Sequence, residues 1–143
     1  MENHFKLDDF TFENQFADTS LPPELFSHEA HLRLAWIHIQ RYGLQQAIDN
    51  ICQQIQAFAL KHGAKDKYHA TITVAAVRTV YHFMLKEQKD SFKSFIRQHP
   101  RLKNNFKELL LSHYSAPLLF DSSSAKQEFV EPDLLPYDPM PIV

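Results

Sequence analysis

Between residues 28 and 88 apolar side chains recur every three to four positions, and the chain's two glycines, Gly43 and Gly63, fall where that rhythm breaks. This pairing constrains the fold more than any other feature. A 3.6-residue repeat places its apolar members on one face of a helix. Tightly turned sheets call on glycine for their positive-φ positions, and two glycines do not serve many such turns.

The repeat predicts three long helices joined by short links. The first covers 28–42, with Ser27 as N-cap and His28, Leu32, Ala35, Trp36 and Ile39 on one face. Gly43 makes a corner. The second covers 44–62, striped by Leu44, Ile48, Ile51, Ile55 and Phe58, with Gly63 as its C-terminal cap. The third covers 68–88, with Asp66 as cap and His69, Ile72, Ala76, Val80 and Phe83 as stripe. Its β-branched run at 71–74 suits a strand, but the pattern continues for about five turns, longer than a strand's ~8 residues. Ser91 caps a shorter helix that stops at His99-Pro100, and a further helix runs to about 113. Ser124 to Gln127 has the capping-box pattern before Phe129 and Val130.

Residues 1–26 read as an extended arm on the surface, with one or two turns near 11–17 and some of Phe5, Phe10, Phe12 and Phe16 inserted. Residues 131–143 read as an extended, proline-rich tail with Leu134, Leu135 and Ile142 as pegs. The expected fold is therefore all-α: a bundle of about five helices spanning 27–130, arm and tail attached, in a single domain over 1–143.

Charge and cysteine content exclude several classes. The net charge is −2 with no Lys/Arg run, so a nucleic-acid partner is not expected. One cysteine, Cys52, allows no internal disulfide, and its place on an apolar stripe reads as a small buried hydrophobe. No apolar run approaches the roughly 18 residues of a membrane span, and no secretory signal is recognised at the N-terminus. A cytoplasmic location is the expectation.

The functional signal lies in the histidines. Three antiparallel helices with short links bring the starts of the first and third to the same end of the bundle. His28 and His69 stand at those starts, and His31 is one turn beyond His28. A helix N-terminus and burial both favour neutral imidazole, the form that ligates transition metals or acts as a base. Three protein ligands with one open position is the plan of a catalytic zinc site. His28, His31 and His69 are thus the expected metal ligands, for zinc, iron or nickel. Glu29, Tyr68 and Tyr114 are the catalytic candidates, and Trp36, Thr71 and Thr73 the pocket residues. The spacing of His28 and His31 differs from the His-Glu-x-x-His of zinc proteases, the second histidine arriving one residue early. His38 reads as half-buried, and His4, His62, His82 and His99 as solvated or capping residues. Arg33 and Arg78 read as surface ion-pair partners.

Phe26-Ser27-His28-Glu29-Ala30-His31-Leu32-Arg33-Leu34-Ala35-Trp36, Tyr68-His69-Ala70-Thr71-Ile72-Thr73, Tyr114-Ser115 and Phe129-Val130-Glu131-Pro132-Asp133 together resemble a family of small, uncharacterised bacterial proteins. The resemblance covers about 16–133 in matching order. It implies a bacterial cytosolic protein and one compact unit, and it brings no activity, cofactor or catalytic residue. A more distant likeness to DinB-type bundles, which hold a metal with three histidines, rests on helix count and ligand type alone.

Three readings of function follow. The leading one is metal binding through the histidine cluster, extending to a metal-dependent enzyme. The second is a metal-free module that binds a small molecule in the same His/Tyr/Thr pocket. The third is an interaction protein, including a homo-oligomer, that assembles through arm and tail.

Overall fold

The computed structural model describes residues 1–141. It is all-helical, with no strand among those residues. The helices are α1 (Asp9–Ala17), α2 (His28–Tyr42), α3 (Leu44–Lys61), α4 (Ala70–Lys86), α5 (Phe92–Gln98), α6 (Arg101–Asn104), α7 (Phe106–Leu111), α8 (Ala116–Phe120) and α9 (Ser123–Gln127). The three long helices α2, α3 and α4 pack on one another. Helix α1 lies on α2 and α3, α5 and α6 lie on α2, and α7 and α9 lie on α4. No helix among the described residues is long and apolar enough to cross a membrane.

Local signals explain the long helices. The Ser27 hydroxyl accepts the Ala30 N–H at 3.1 Å to start α2. Gly43 and Gly63 both adopt positive φ, +83° and +71°, which L side chains rarely adopt. The start of α4 differs from expectation. Asp66 lies in a 3-10 turn, Lys65–Lys67, and the N-cap is His69. The expected helix to 113 is broken at Asn105, whose φ of −133° is not helical. The break serves packing: it lets α6 turn buried Leu102 onto α2 while α7 carries Leu110 toward α4. Ser122, not Ser124, caps α9 by accepting the Ala125 N–H, and Phe129 and Val130 lie beyond the helix end.

The arm is the largest correction. Residues 1–26 carry the expected turns and inserted phenylalanines but are more helical and more deeply buried than an extended surface arm. They contain a 3-10 turn at Asn3–Lys6, the nine-residue α1 and a second 3-10 turn at Pro23–Leu25. The Asp8 carboxylate caps α1 at the Thr11 N–H, 2.8 Å away. Phe12, Phe16 and Leu21 are fully buried, and Phe16 stacks on Phe58 of α3 at 4.8 Å. Each buried phenylalanine contributes about 1.5–3 kcal/mol, enough to make this segment part of the core. Phe10 stays exposed.

The tail is extended, as expected, but pinned by different residues. Leu134 and Leu135 are more than half exposed, and the buried peg is Tyr137, with Met140 packed against the main core. Ile142, the other expected peg, lies outside the described residues. The Tyr114 hydroxyl donates to the Val130 carbonyl at 2.6 Å, and the Asp133 carboxylate accepts the Ser115 N–H at 2.8 Å. Arm and tail therefore both pack on their own chain.

Candidate functional site

His28 and His31 occupy the first turns of α2 and border one groove, walled by α2, α3, α4 and α7. The groove encloses about 290 Å³. Leu32, Ile55, Ile72, Ala76 and Leu110 make most of its surface apolar, and Phe120 of α8 stands half-exposed at its edge. The polar groups on it are the two imidazoles, Thr73 and Lys107; no carboxylate lines it.

His28 Nε2 lies 2.9 Å from the Leu102 carbonyl. A carbonyl only accepts, so Nε2 carries a proton. The ring also sits 4.8 Å from that of Phe106. His31 packs its ring 4.0 Å from Phe26, and its nitrogens have no protein partner among the described residues. His31 is exposed to water at the mouth of the groove, and the protein crowded around it, then the neighbouring His28, push its pKa down. In its neutral form the His31 imidazole can both donate and accept.

Both ring nitrogens of His69 face backbone groups. Its Nδ1 accepts the Ile72 N–H at 3.1 Å, and its Nε2–H donates to the Leu119 carbonyl at 2.9 Å. Both nitrogens are engaged, and the residue acts as the N-cap of α4 and a tie to α8. Among the described residues, His28, His31 and His69 do not form a set of potential ligand atoms within 4.8 Å of one another. The trio expected at one end of the bundle is not brought together. Its members reach the same region, but the capping bond turns His69 to the backbone.

The other expected site residues divide. Thr73 borders the groove while donating to the His69 carbonyl at 2.7 Å. Thr71 is buried elsewhere, donating to the Glu128 carbonyl at 3.0 Å and accepting the Val130 N–H. Trp36 faces away from the histidine groove, near Phe92, beside clefts that it shares with Gln40. The Tyr68 hydroxyl is raised by burial and by its hydrogen bond with Cys52. Burial likewise raises Tyr114, whose hydroxyl anchors the tail. Neither phenol is poised to transfer a proton at neutral pH.

Glu29 points the opposite way from the groove, into a buried polar cluster that sequence reasoning did not find. His4 is 1 % exposed, where a solvated side chain was expected, and its Nε2–H donates to Glu29 Oε1 at 2.7 Å. Lys103 bridges Glu29 and Glu2 at 2.9 and 3.2 Å. Arg33, expected at the surface, is buried. Its guanidinium reaches the His4 and Leu7 carbonyls and Asp9. Glu2, His4 and Glu29 have the ligand spacing of a metal site. Here Lys103 already stands between the two carboxylates and the His4 proton already faces Glu29, so the cluster is satisfied without an ion. The N-terminal partners are 24 to 29 residues from their α2 partners in sequence, and Lys103 lies further away still, so no local pattern announces them.

No family model, no curated protein and no solved structure matches this chain. The assignment of function therefore rests on the groove and its chemistry.

Proposed function

We propose that this protein is a binding module for a small amphipathic molecule, held in the α2–α3–α4–α7 groove without a metal. The observation that carries the reading is the lining: an apolar floor with His28, His31, Thr73 and Lys107 and no carboxylate. A ligand with an acyl or aryl body and a carboxylate head is complementary to that arrangement. The body would displace water from the floor. The head would take a hydrogen bond from the His31 imidazole, whose nitrogens are not spent on the backbone as His28 Nε2 and the Thr73 hydroxyl are, and the charge of Lys107. A volume of about 290 Å³ suits a medium-chain acid rather than a large cofactor.

The metal reading is less well supported. Ligation by His69 would require it to surrender both the cap of α4 and the Leu119 bond.

Titration of purified protein with decanoate and with decanol tests the proposal. Decanoate should bind more tightly than the alcohol, and His31→Ala and Lys107→Gln should narrow that difference. Ala76→Phe, which fills the groove, should abolish binding of both. Equal affinity of wild type and Ala76→Phe would refute the site.

A further inference from the structure

A second cavity lies along the C-terminal half of α4, where the tail crosses α4 and α7. It encloses about 440 Å³ and is bordered by Lys86, Arg101, His82, His113, Tyr137 and Asp138. We propose that this cavity binds a small dianion, a phosphate monoester or a dicarboxylate carrying a short aromatic or apolar body.

Charge is the first argument. Lys86 and Arg101 each bring a full positive charge, and neither has a carboxylate within 4.0 Å among the described residues. Asp138 is the single acid on the lining, and its Oδ2 is already paired with His82 Nδ1 at 2.7 Å. Two unmatched, exposed cations on the lining of one concave space favour an anion with two charges over one.

The second argument is that the walls are built rather than incidental. Tyr137 is buried with its ring stacked on His113, 3.9 Å away at 19°, and with Arg78 5.3 Å over its ring. Its hydroxyl accepts the Thr79 O–H at 3.2 Å. His113 Nδ1–H donates to the Leu135 carbonyl at 2.7 Å, and Arg78 donates to the Asp138 carbonyl at 3.0 Å. The last two bonds hold backbone, so the tail keeps its course whatever side chains 135 and 138 carry. His82 and His113 each spend one nitrogen on the tail. Their second nitrogens have no protein partner among the described residues. Leu135, Pro136 and Pro139 add exposed apolar lining for the body of the ligand.

The site is independent of the α2–α3–α4–α7 groove, since the two share no lining residue. Calorimetric titration with inorganic phosphate, phenyl phosphate and phthalate tests it. At least one of these should bind, and Lys86→Gln with Arg101→Gln should weaken it roughly ten-fold or more, the loss of charge-assisted bonds. Both side chains are exposed, so the double variant should fold as wild type does. Asp138→Asn, which removes the only acid of the lining and keeps the backbone bond to Arg78, should tighten binding. Lys107→Gln, in the other groove, should leave it unchanged. Preference for phenyl phosphate over phthalate assigns a phosphate monoester; the reverse assigns a dicarboxylate. No binding of any probe up to roughly 10 mM, or equal affinity in wild type and the double variant, would overturn the proposal.

Discussion

Replacing His69 by alanine separates the capping role from a metal role. Two interactions are lost. The first is the N-cap bond, in which Nδ1 accepts the Ile72 N–H at 3.1 Å. An N-cap is worth about 1 kcal/mol. The second is the Nε2–H bond to the Leu119 carbonyl at 2.9 Å, which joins α4 to α8 across 50 residues. A net contribution of about 1 kcal/mol is typical for such a bond. His69→Ala should therefore cost about 2 kcal/mol, or a fall in Tm of about 6 °C for a chain of this size. Asn, which caps well but cannot reach Leu119 in the same way, should recover about half of that. The assay is urea unfolding and thermal melting of wild type, His69→Ala and His69→Asn, each with zinc and with chelator. Wild-type curves should coincide in zinc and chelator, because both nitrogens are already bonded. A loss below about 0.5 kcal/mol in the alanine variant would refute the capping argument. So would a zinc-dependent rise in wild-type Tm that the variant lacks.

Acid should destabilise the fold before the carboxylates titrate. Burial, the largest influence, pushes His4 below its ordinary pKa against the upward pull of Glu29, and burial does the same at His38 and His69. The unfolded chain then binds more protons below pH ~6.5, so stability is complete above that value and falls as pH drops toward the lower pKa values of the folded state. Urea midpoints between about pH 7.5 and 5 measure this, and a flat profile would contradict it. Phe16→Ala should cost about 3–5 kcal/mol in the same assay, because the ring is fully buried between Phe26 and Phe58; a loss under about 1 kcal/mol would return the arm to the surface. Gly63→Ala should cost about 1 kcal/mol from the left-handed backbone alone, since nothing lies within 4 Å of the added Cβ. A stabilised variant in the denaturant melt would contradict that assignment.

What the sequence determined by itself is the part of the fold whose causes are local. Ser27, the 3.6-residue stripe and Gly43 bound α2 at the residues expected, because cap, stripe and positive-φ glycine act within one element. The end of α3 near Gly63 and the cap at Ser91 follow in the same way. Helix α1 had a readable signal, Asp8 as cap with Phe12 and Phe16 one turn apart. Nine residues are too few for a helix to stand alone, so packing on α3 decides it.

Tertiary structure decided the chemistry of the histidines. His28 and His31 share a groove because one helix places them three residues apart, which is legible in the sequence. The role of His69 depended on where α4 begins. Once the chain forms the 3-10 turn at Lys65–Lys67, Asp66 is too early to cap, and the imidazole takes the first-turn N–H in its place. His4, Glu29, Arg33 and Lys103 meet only when the N-terminal segment closes over α2 and α6. His4, Glu29 and Arg33, which look solvated one by one, are buried there together, with the half-exposed Lys103 at their edge, since each buried charge is tolerable only beside its partners.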